Sequence, residues 1–516
     1  MLIPFTNEPL TDFTREENQK KMKEALQKIK SCLGREYPLI IGGEQIYTEE
    51  KIVSYNPSCH SEVIGRVSRA DRALAQRAVE TAAEAFLSWR QMPPEARARY
   101  LFKAAAIMRK RKHELSAWMV LEAGKNWAEA DADTAEAIDF LEFYGREMIR
   151  LAQPQPVTPY PGEENTLEYL PLGVGVIIPP WNFPLAILTG TTVGPVVAGN
   201  TVVLKPASNT PVIAYMFMEI MQEAGLPPGV INFLPGSGGE IGDFLVGHPL
   251  VHFINFTGSR DVGLHINSLA ARIAPGQKWI KRVAAEMGGK DAIIIDEDCD
   301  LEEAVAGVIT SAYGFSGQKC SACSRLIVVG DAYRPVLEKL AERVAQLKTG
   351  PAEEYGTDVG PVIDEASYNK IMGYIQIGRD EGGHLLAGGR GDNSRGYFIW
   401  PTVFADVAPR ARIAQEEIFG PVLAVIQAKT FDEAIAIAND TEYGLTGGVY
   451  SRNRAHLEKA RREFHVGNLY FNRKCTGALV GVQPFGGFKM SGTNSKAGGR
   501  DYLKLFMQAK SISERF

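Results

Sequence analysis

The sequence has few cysteines, little net charge and no uninterrupted apolar run long enough for a membrane helix. Its 516 residues include six cysteines, too few for a disulfide scaffold in a chain of this length, which favours a reducing compartment. With 56 basic and 61 acidic side chains, the net charge is −5, which excludes binding to nucleic acid or to an anionic membrane through bulk charge. Prolines interrupt the longest apolar stretch, 174–198, and the first residues lack the pattern of a signal peptide. We therefore expect a soluble, cytoplasmic protein.

The rest of the composition is typical of a globular enzyme, since 45% of the residues are hydrophobic and 23% are charged. At about 100–200 residues per domain, the length predicts two to four domains. Near the N-terminus, Thr14 and Glu17 predict a capping box for an amphipathic helix that ends at Gly34. Helical patterning continues over 71–124, and a further helix is predicted over about 131–150.

After a segment rich in proline and polar residues, 151–170, short β-branched runs alternate with helical windows. The first series is VGVII, TVVLKP, VINFLP and VHFINFTGS, and the second is DAIIID, SRLIVVG, PVLAVIQA and GGVYS. This alternation is typical of βαβ units, so it predicts an α/β protein with two consecutive parallel sheets. The C-terminal KLFMQAKSISERF alternates like an exposed strand that would pair with the sheet of another subunit.

Two glycine-rich turns and one lysine are candidate ligand-binding elements. GSGGEIG (236–242) and FTGSRDVG (256–263) each follow a strand and begin a helix, where backbone N–H groups favour phosphate. A plain strand-to-helix connection is an equally good interpretation of either turn. Lys205 ends the strand TVVLKP, at the sheet edge where α/β proteins bind ligands, and can donate to ribose hydroxyls. The alternative is a solvated loop lysine.

The segment FSGQKCSACSR (315–325) carries the strongest local signal. Cys320 has small neighbours and follows a helical pattern, which favours a nucleophile, and Lys319 would stabilise its thiolate. The Cys320–Cys323 spacing also fits a redox dithiol or half of a zinc site, but no second CxxC or histidine pair stands at zinc spacing. We therefore expect no metal, and a buried, unreactive Cys323.

Two further residues are candidates for catalysis. Glu286 precedes a Gly-Gly turn in AAEMGGK and could act as a base, although such a residue is more often a surface charge. Asn182 lies in the proline-rich turn IPPWNFP, where a fixed amide can stabilise an oxyanion, although asparagine also simply favours turns.

Taken together, PWNFP, LKPAS, FTGS, EMGGK, FSGQKCSA, QEEIFGPV and PFGGFKMSG resemble the aldehyde dehydrogenase superfamily in order and spacing, from about Tyr37 onward. GQKCSA and the run FHVGNLYFNRKCTGALVGVQPFGG resemble the members that oxidise L-glutamate γ-semialdehyde to L-glutamate in proline degradation. The resemblance therefore implies this activity, with NAD as cofactor. The alternative is a dehydrogenase of another ω-semialdehyde or of an aliphatic aldehyde.

The resemblance also implies a domain organisation. The expected NAD-binding domain comprises 1–150 and 171–286, with an N-terminal helical segment over 1–36. A catalytic domain follows over 287–485. The segments 151–170 and 486–516 would form a small β oligomerisation arm, which makes the protein a homodimer or a higher homo-oligomer.

Roles for individual residues follow from the same resemblance. Cys320 would attack the aldehyde, Asn182 would hold the thiohemiacetal oxygen, and Glu286 would activate the water that hydrolyses the thioester. Trp181 and Lys205 would bind the adenosine ribose, and Ser259 the pyrophosphate. The full set of implied cofactor-binding residues is Trp181, Lys205, Ser208, Gly258, Ser259, Glu417 and Phe419, the last two on the nicotinamide side.

For the substrate, the resemblance implies that Ser321 and the backbone N–H groups of Gly477 and Ala478 hold the carboxylate. Phe183 and Phe485 would enclose the aliphatic part of the substrate.

Ser208 departs from the pattern of many NAD-preferring relatives, which have KPAE where this chain has KPAS. A glutamate there accepts from the ribose 2′-hydroxyl and repels a 2′-phosphate. We therefore expect that NADP is accepted as well, although less well than NAD.

Overall fold

The computed structural model describes residues 3–516, and it begins with helices and a small sheet. The small sheet has the strand order β1-β5-β4. The elements of this part are α1 (Glu16–Lys30), β1 (Arg35–Tyr37), β2 (Leu39–Ile41), β3 (Glu44–Ile46), β4 (Lys51–Asn56), β5 (Cys59–Ser68), α2 (Arg72–Trp89), α3 (Pro94–Lys110), α4 (Lys112–Ala123) and α5 (Trp127–Leu151).

The next part of the chain builds most of the first large sheet. Its elements are β6 (Glu163–Pro171), β7 (Val174–Ile178), α6 (Ala186–Val197), β8 (Thr201–Leu204), α7 (Pro211–Glu223), β9 (Ile231–Phe233), α8 (Asp243–Gly247), β10 (Val251–Thr257), α9 (Arg260–Ala270) and β11 (Arg282–Glu286). The sheet has the order β11-β10-β7-β8-β9-β2-β3. Strands β7 to β11 are parallel to one another, whereas β2 pairs antiparallel with both β9 and β3.

The second large sheet has the order β14-β17-β18-β13-β12-β20-β21 and is parallel except for β14. The elements of this part are β12 (Asp291–Ile295), α10 (Leu301–Tyr313), β13 (Cys323–Val329), α11 (Tyr333–Ala345), α12 (Glu365–Asp380), β14 (His384–Ala387), β15 (Gly391–Asp392), β16 (Phe398–Ile399), β17 (Thr402–Ala405), α13 (Arg412–Gln415), β18 (Val422–Ala428), α14 (Phe431–Asn439), β19 (Tyr443–Gly444), β20 (Thr446–Tyr450), α15 (Arg454–Glu463), β21 (Asn468–Phe471), β22 (Phe488–Lys489) and β23 (Met507–Arg515).

Both large sheets are covered on both faces, which explains their continuous apolar strands. In the first sheet, Ile177 packs into one core and its neighbour Val176 into the core on the opposite face. In the second sheet, Ile294 packs into the core on one face and its neighbour Ile293 into the core on the other. Because successive side chains of a strand point to opposite faces, a strand buried on both faces is apolar throughout. The predicted α/β class with parallel sheets is confirmed.

Strands β6 and β23 form a separate two-stranded antiparallel sheet, from Glu163 opposite Arg515 to Pro171 opposite Met507. After Met507, every residue of β23 is exposed. The domain bounds that we predicted stay predictions. Within the predicted arm segment 486–516, however, Gly487 and Ser495 bond to Glu286, and only the last residues pair with β6.

Two N-terminal features differ from the prediction. Helix α1 begins at Glu16, and Thr14 does not cap it, because the Asp12 carboxylate accepts both the backbone N–H and the hydroxyl of Thr14. The predicted capping box is therefore wrong. The helix also ends at Lys30, before Gly34, which lies in the turn that leads to β1. In addition, strands β2 and β3 lie at one edge of the first sheet, and the sequence pattern did not predict these two strands.

No helix within residues 3–516 is long and apolar enough to cross a membrane. The apolar stretch 174–198 is divided between strand β7, a loop and helix α6.

Candidate active site

The candidate site lies where loops after strands of the first sheet meet the turns before strands of the second. Asn182, in the loop after β7, is buried and donates through Nδ2 to the carbonyl of Gln318 at 3.0 Å. On the connection between β11 and β12, the N–H of Gly289 donates to Glu417 Oε1 at 3.0 Å. These bonds join the two halves of the site around the Cys320 turn.

The turn that carries Cys320 follows α10 and is fixed by hydrogen bonds. Phe315 and Ser316 have positive φ values of 49° and 57°, which reverse the chain sharply after the helix. Gln318 is fully buried, and its Oε1 accepts the N–H of Ile363 at 2.9 Å. A Cβ on Gly289 would approach the Cys320 carbonyl oxygen to 2.4 Å, so only glycine allows this close packing. Cys320 is half-buried in a rigid turn.

The electrostatic surroundings of Cys320 favour the neutral thiol. Burial raises its pKa above the ordinary value, and the carboxylates of Asp291, Glu417 and Glu286 raise it further. The prediction that Lys319 stabilises the thiolate is wrong, because its Nζ lies 2.7 Å from Glu129 Oε1 and its charge is neutralised there. The thiol form of Cys320 is therefore favoured in this environment.

Cys323 begins β13 and is 1% exposed, as predicted. Its Sγ donates to the carbonyl of Arg325 at 3.3 Å. Over residues 3–516, no group of three or more histidine, cysteine, aspartate or glutamate side chains is arranged to hold a metal ion.

Glu286, the last residue of β11, is the candidate base. Its side chain is buried, and Oε1 accepts from the backbone N–H of Ser495 at 2.9 Å and from the Ser495 hydroxyl at 2.7 Å. Oε2 accepts from the N–H of Gly487 at 3.2 Å. Burial raises the pKa of Glu286 to about 7, while the bonds from Ser495 and Gly487 partly oppose the shift. A carboxyl with this pKa can accept a proton near neutral pH.

The predicted cofactor residues on the first sheet lie in the loops after its strands. Lys205 follows β8 and is buried, and within the described residues its ammonium has no hydrogen bond or ion pair; burial lowers its pKa to about 8. Gly258 donates to the Glu286 carbonyl at 3.1 Å. Ser259 is the exposed N-cap of α9, and Ser208 is exposed in the turn after β8. The other glycine-rich turn, GSGGEIG, leads through a π-helical turn into the helix α8, which has only five residues.

The predicted nicotinamide-side residues lie on the second half of the site. Burial raises the pKa of Glu417, and Phe419 adopts a positive φ of 61°. The ring of Phe419 packs edge-on against Trp181, with 5.5 Å between ring centroids. Trp181, which we assigned to the adenosine ribose, therefore contacts a residue assigned to the nicotinamide. Its assignment stays a prediction.

The predicted carboxylate-binding residues are linked to the Cys320 turn. The buried Ser321 accepts, at its carbonyl, the hydroxyl of Thr446 at 3.4 Å and the Sγ of Cys475 at 3.5 Å. Gly477, two residues after Cys475, has a φ of 72°. Within residues 3–516, the backbone N–H groups of Gly477 and Ala478 have no hydrogen-bond acceptor. These open N–H groups can donate to an anionic group.

Phe183 and Phe485, the predicted walls for the aliphatic part, are half-buried. The Nζ of Lys125 lies 3.8 Å from the ring centroid of Phe183. Phe485 exchanges two backbone hydrogen bonds with Ala497, at 2.9 and 2.8 Å. The Phe183 ring is thus packed against Lys125, and the backbone of Phe485 is fixed by Ala497.

Comparison with known proteins identifies the family. Residues 46–512 match the sequence profile of the aldehyde dehydrogenase family. This chain is an aldehyde dehydrogenase. It is 63% identical over the whole of both chains to the 1-pyrroline-5-carboxylate dehydrogenase of Geobacillus kaustophilus (strain HTA426). The predicted family is confirmed.

Two solved structures are similar to this aldehyde dehydrogenase. A 1-pyrroline-5-carboxylate dehydrogenase from Thermus with bound NAD has 58% sequence identity, a TM-score of 0.98 and full coverage of both chains. Proline utilization A from Bdellovibrio bacteriovorus has 46% identity and a TM-score of 0.96, over 99% of this chain and 53% of the other.

Sequence reasoning missed several residues that support the site of this aldehyde dehydrogenase. Ser495 and Gly487 hold Glu286, and the fully buried pair Lys125–Asp133, 3.0 Å apart, lies under Phe183. The motif PFGGFKMSG contains Gly487 and ends just before Ser495, so it was a signal for the first pair. Nothing in the local sequence pattern indicates the second pair.

Proposed function

We propose that this aldehyde dehydrogenase oxidises L-glutamate γ-semialdehyde, which is in equilibrium with 1-pyrroline-5-carboxylate, to L-glutamate in proline degradation. The observation that carries the proposal is the pair of open N–H donors at Gly477 and Ala478, joined through Cys475 and Ser321 to the Cys320 turn. A substrate with a carboxylate remote from its aldehyde suits this arrangement. The names of the relatives described above support the same substrate.

The first step assigns roles to Cys320 and Asn182. The Cys320 sulfur attacks the aldehyde carbon, and the thiol proton passes to a base, for which Glu286 has a suitable pKa of about 7. The oxygen of the resulting thiohemiacetal accepts from the Asn182 amide and from the backbone N–H of Cys320. One N–H of Asn182 is already engaged by Gln318, which fixes the direction of the other.

The last step assigns hydrolysis of the thioester to Glu286. Its carboxylate accepts a proton from water as the water oxygen bonds to the acyl carbon, and the carbon–sulfur bond then breaks. The leaving sulfur takes up a proton to regenerate the Cys320 thiol, and L-glutamate is released. Ser495 and Gly487 keep Glu286 in place during this exchange.

NAD fits the residues between the two sheets. Lys205 offers a buried ammonium without a partner in residues 3–516, and α9 offers its open first turn beside Ser259. Glu417 accepts from the N–H of Gly289, and Phe419 packs on Trp181. When bound, NAD supplies the hydride acceptor that converts the thiohemiacetal into a thioester. Because Ser208 carries no charge, we infer that NADP is also accepted, less well than NAD.

The exposed β6–β23 sheet supports assembly into a homodimer or a higher homo-oligomer, since an exposed strand edge favours pairing between subunits. The six cysteines are all free, which supports a cytoplasmic location.

The test is an assay of reduced cofactor with three aldehydes: L-glutamate γ-semialdehyde, succinate semialdehyde and hexanal. We expect the highest kcat/KM for glutamate semialdehyde with NAD, and free glutamate as its product. A higher kcat/KM for either of the other two aldehydes would contradict the proposed substrate.

A further inference from the structure

Lys474 lies next to the loop that offers the two open N–H donors. If Gly477 carried a Cβ, this atom would lie 3.3 Å from Lys474 Cε and 3.4 Å from its Nζ. The lysine end group therefore stands beside the glycine, on the side that a larger residue would fill. A side chain at 477 would crowd the Lys474 ammonium, so glycine leaves the lysine end group its place beside the two N–H groups.

The ammonium of Lys474 also differs from the other cations of this region. Lys319 pairs with Glu129 at 2.7 Å. Arg473 donates to the carbonyls of Thr476 and Gly477 and stacks 4.4 Å from the centre of the Tyr470 ring. For Lys474, by contrast, the described part of the chain provides neither an ion pair nor a hydrogen bond.

The charged neighbours of Lys474 include Lys319 and Glu129. Burial is the first cause that lowers its pKa, followed by the positive charge of Lys319, while Glu129 opposes the shift. Lys319 Nζ in turn lies 6.0 Å from the ring centroid of Phe183. Lys474 itself is exposed, and Lys319 is the charged neighbour that it shares with the Phe183 side of the site.

We propose that Lys474 is a specificity-determining residue whose ammonium binds the carboxylate of the substrate together with the N–H groups of Gly477 and Ala478. This inference rests on the proposed function for the identity of the substrate, but it makes a general statement about the site. The site selects aldehydes with an anionic group at the far end. An uncharged aldehyde gains nothing from Lys474.

The decisive variant is Lys474→Gln, assayed with glutamate semialdehyde and with hexanal. Loss of a charge-assisted hydrogen bond is expected to raise KM for glutamate semialdehyde by about 10- to 100-fold. Its kcat should change by less than about twofold, because the ammonium binds the substrate at the end remote from the reacting atoms. With hexanal, kcat/KM should stay within about twofold of wild type.

Inhibition by glutarate gives a second readout that needs no oxidation of the semialdehyde. Glutarate should compete with hexanal. The Lys474→Gln variant should raise the inhibition constant of glutarate by the same factor as it raises KM for glutamate semialdehyde. Lys474→Arg keeps the charge and should restore most of the affinity. The matched control is Lys20→Gln, which removes an exposed lysine from α1 and should change neither value.

Equal losses with hexanal and glutamate semialdehyde would overturn the inference, since they would indicate a structural role in the loop. Unchanged values of KM and of the glutarate inhibition constant would overturn it as well. If wild type oxidises hexanal but not glutamate semialdehyde, while glutarate inhibition still depends on Lys474, the proposed function fails and this inference stands.

Discussion

The two halves of the site differ in how firmly their side chains are held. On the second-sheet side, Cys320 stands in a hydrogen-bonded turn, and the carbonyl of Ser321 accepts two bonds. On the first-sheet side, Ser208 and Ser259 are exposed and their side chains bond to nothing in the described residues. The first arrangement suits covalent chemistry, which requires fixed geometry, and the second suits a ligand that binds and leaves.

Glu286, like the buried Asn182, is a firmly held residue on the first-sheet side of the site. It ends a strand of the first sheet, yet its carboxylate is buried and fixed by Ser495 and Gly487, like the groups around Cys320. Burial raises the pKa of both Glu286 and Cys320, but hydrogen bonds restrain the shift at Glu286, whereas three carboxylates increase it at Cys320. The difference leaves the carboxyl able to titrate near neutral pH and keeps the thiol protonated.

The largest effect is expected for Cys320→Ser, which removes the fixed nucleophile. A hydroxyl is a much weaker nucleophile at neutral pH, so kcat/KM should fall by at least about 10³-fold. The dissociation constant for NAD, measured by fluorescence titration, should stay within about twofold. Cys323→Ser is the matched control and should stay active, because Cys323 is buried in β13. An equal loss in the control would favour the dithiol interpretation.

Much of this comparison was accessible from the sequence, because strands buried on both faces are continuous apolar runs. These runs predicted β7, β8, β10, β12 and β13, and with β8 the strand end where Lys205 stands, whereas β11, which ends at Glu286, was not predicted. The contacts that set the chemistry were not accessible. Ser495 follows Glu286 by 209 residues, and Glu129 precedes Lys319 by 190, so only the folded chain brings them together. For this reason Lys319 was wrongly assigned to the thiolate.

The next largest effect is expected for Glu286→Gln, which tests whether Glu286 is the base that hydrolyses the thioester. The amide keeps the size of the side chain but cannot accept a proton from water, so steady-state turnover should fall about 10²- to 10³-fold. The acyl-enzyme should still form. Rapid mixing with NAD and glutamate semialdehyde should therefore give a burst of about one equivalent of reduced cofactor per site.

Slow turnover without a burst would instead assign Glu286 to activation of the thiol. Full activity of Glu286→Gln would show that another group is the base. The matched control is Glu433→Gln, which changes an exposed carboxylate on α14 and should have neither effect.

A smaller effect is expected in the pH dependence. The base form of Glu286 predominates above its pKa of about 7, so kcat should rise with pH up to that value and then level off. The Ser495 hydroxyl lowers this pKa, so Ser495→Ala should move the midpoint upward, by about one pH unit. The profile is measured between about pH 5.5 and 9. Ser31→Ala, at the end of α1, should not move it, and a downward shift for Ser495→Ala would contradict the assignment.

The smallest effect is expected at Ser208, which is exposed on the first-sheet side of the site. A carboxylate introduced by Ser208→Glu would repel the 2′-phosphate of NADP across a solvated gap. Water screens such a charge, so the ratio of kcat/KM for NADP to that for NAD should fall by only about three- to tenfold. Ser208→Gln is the matched control without the charge and should leave the ratio near that of wild type. An unchanged ratio in Ser208→Glu would mean that Ser208 does not face the ribose, and the exposed half of the site would then need another residue for cofactor choice.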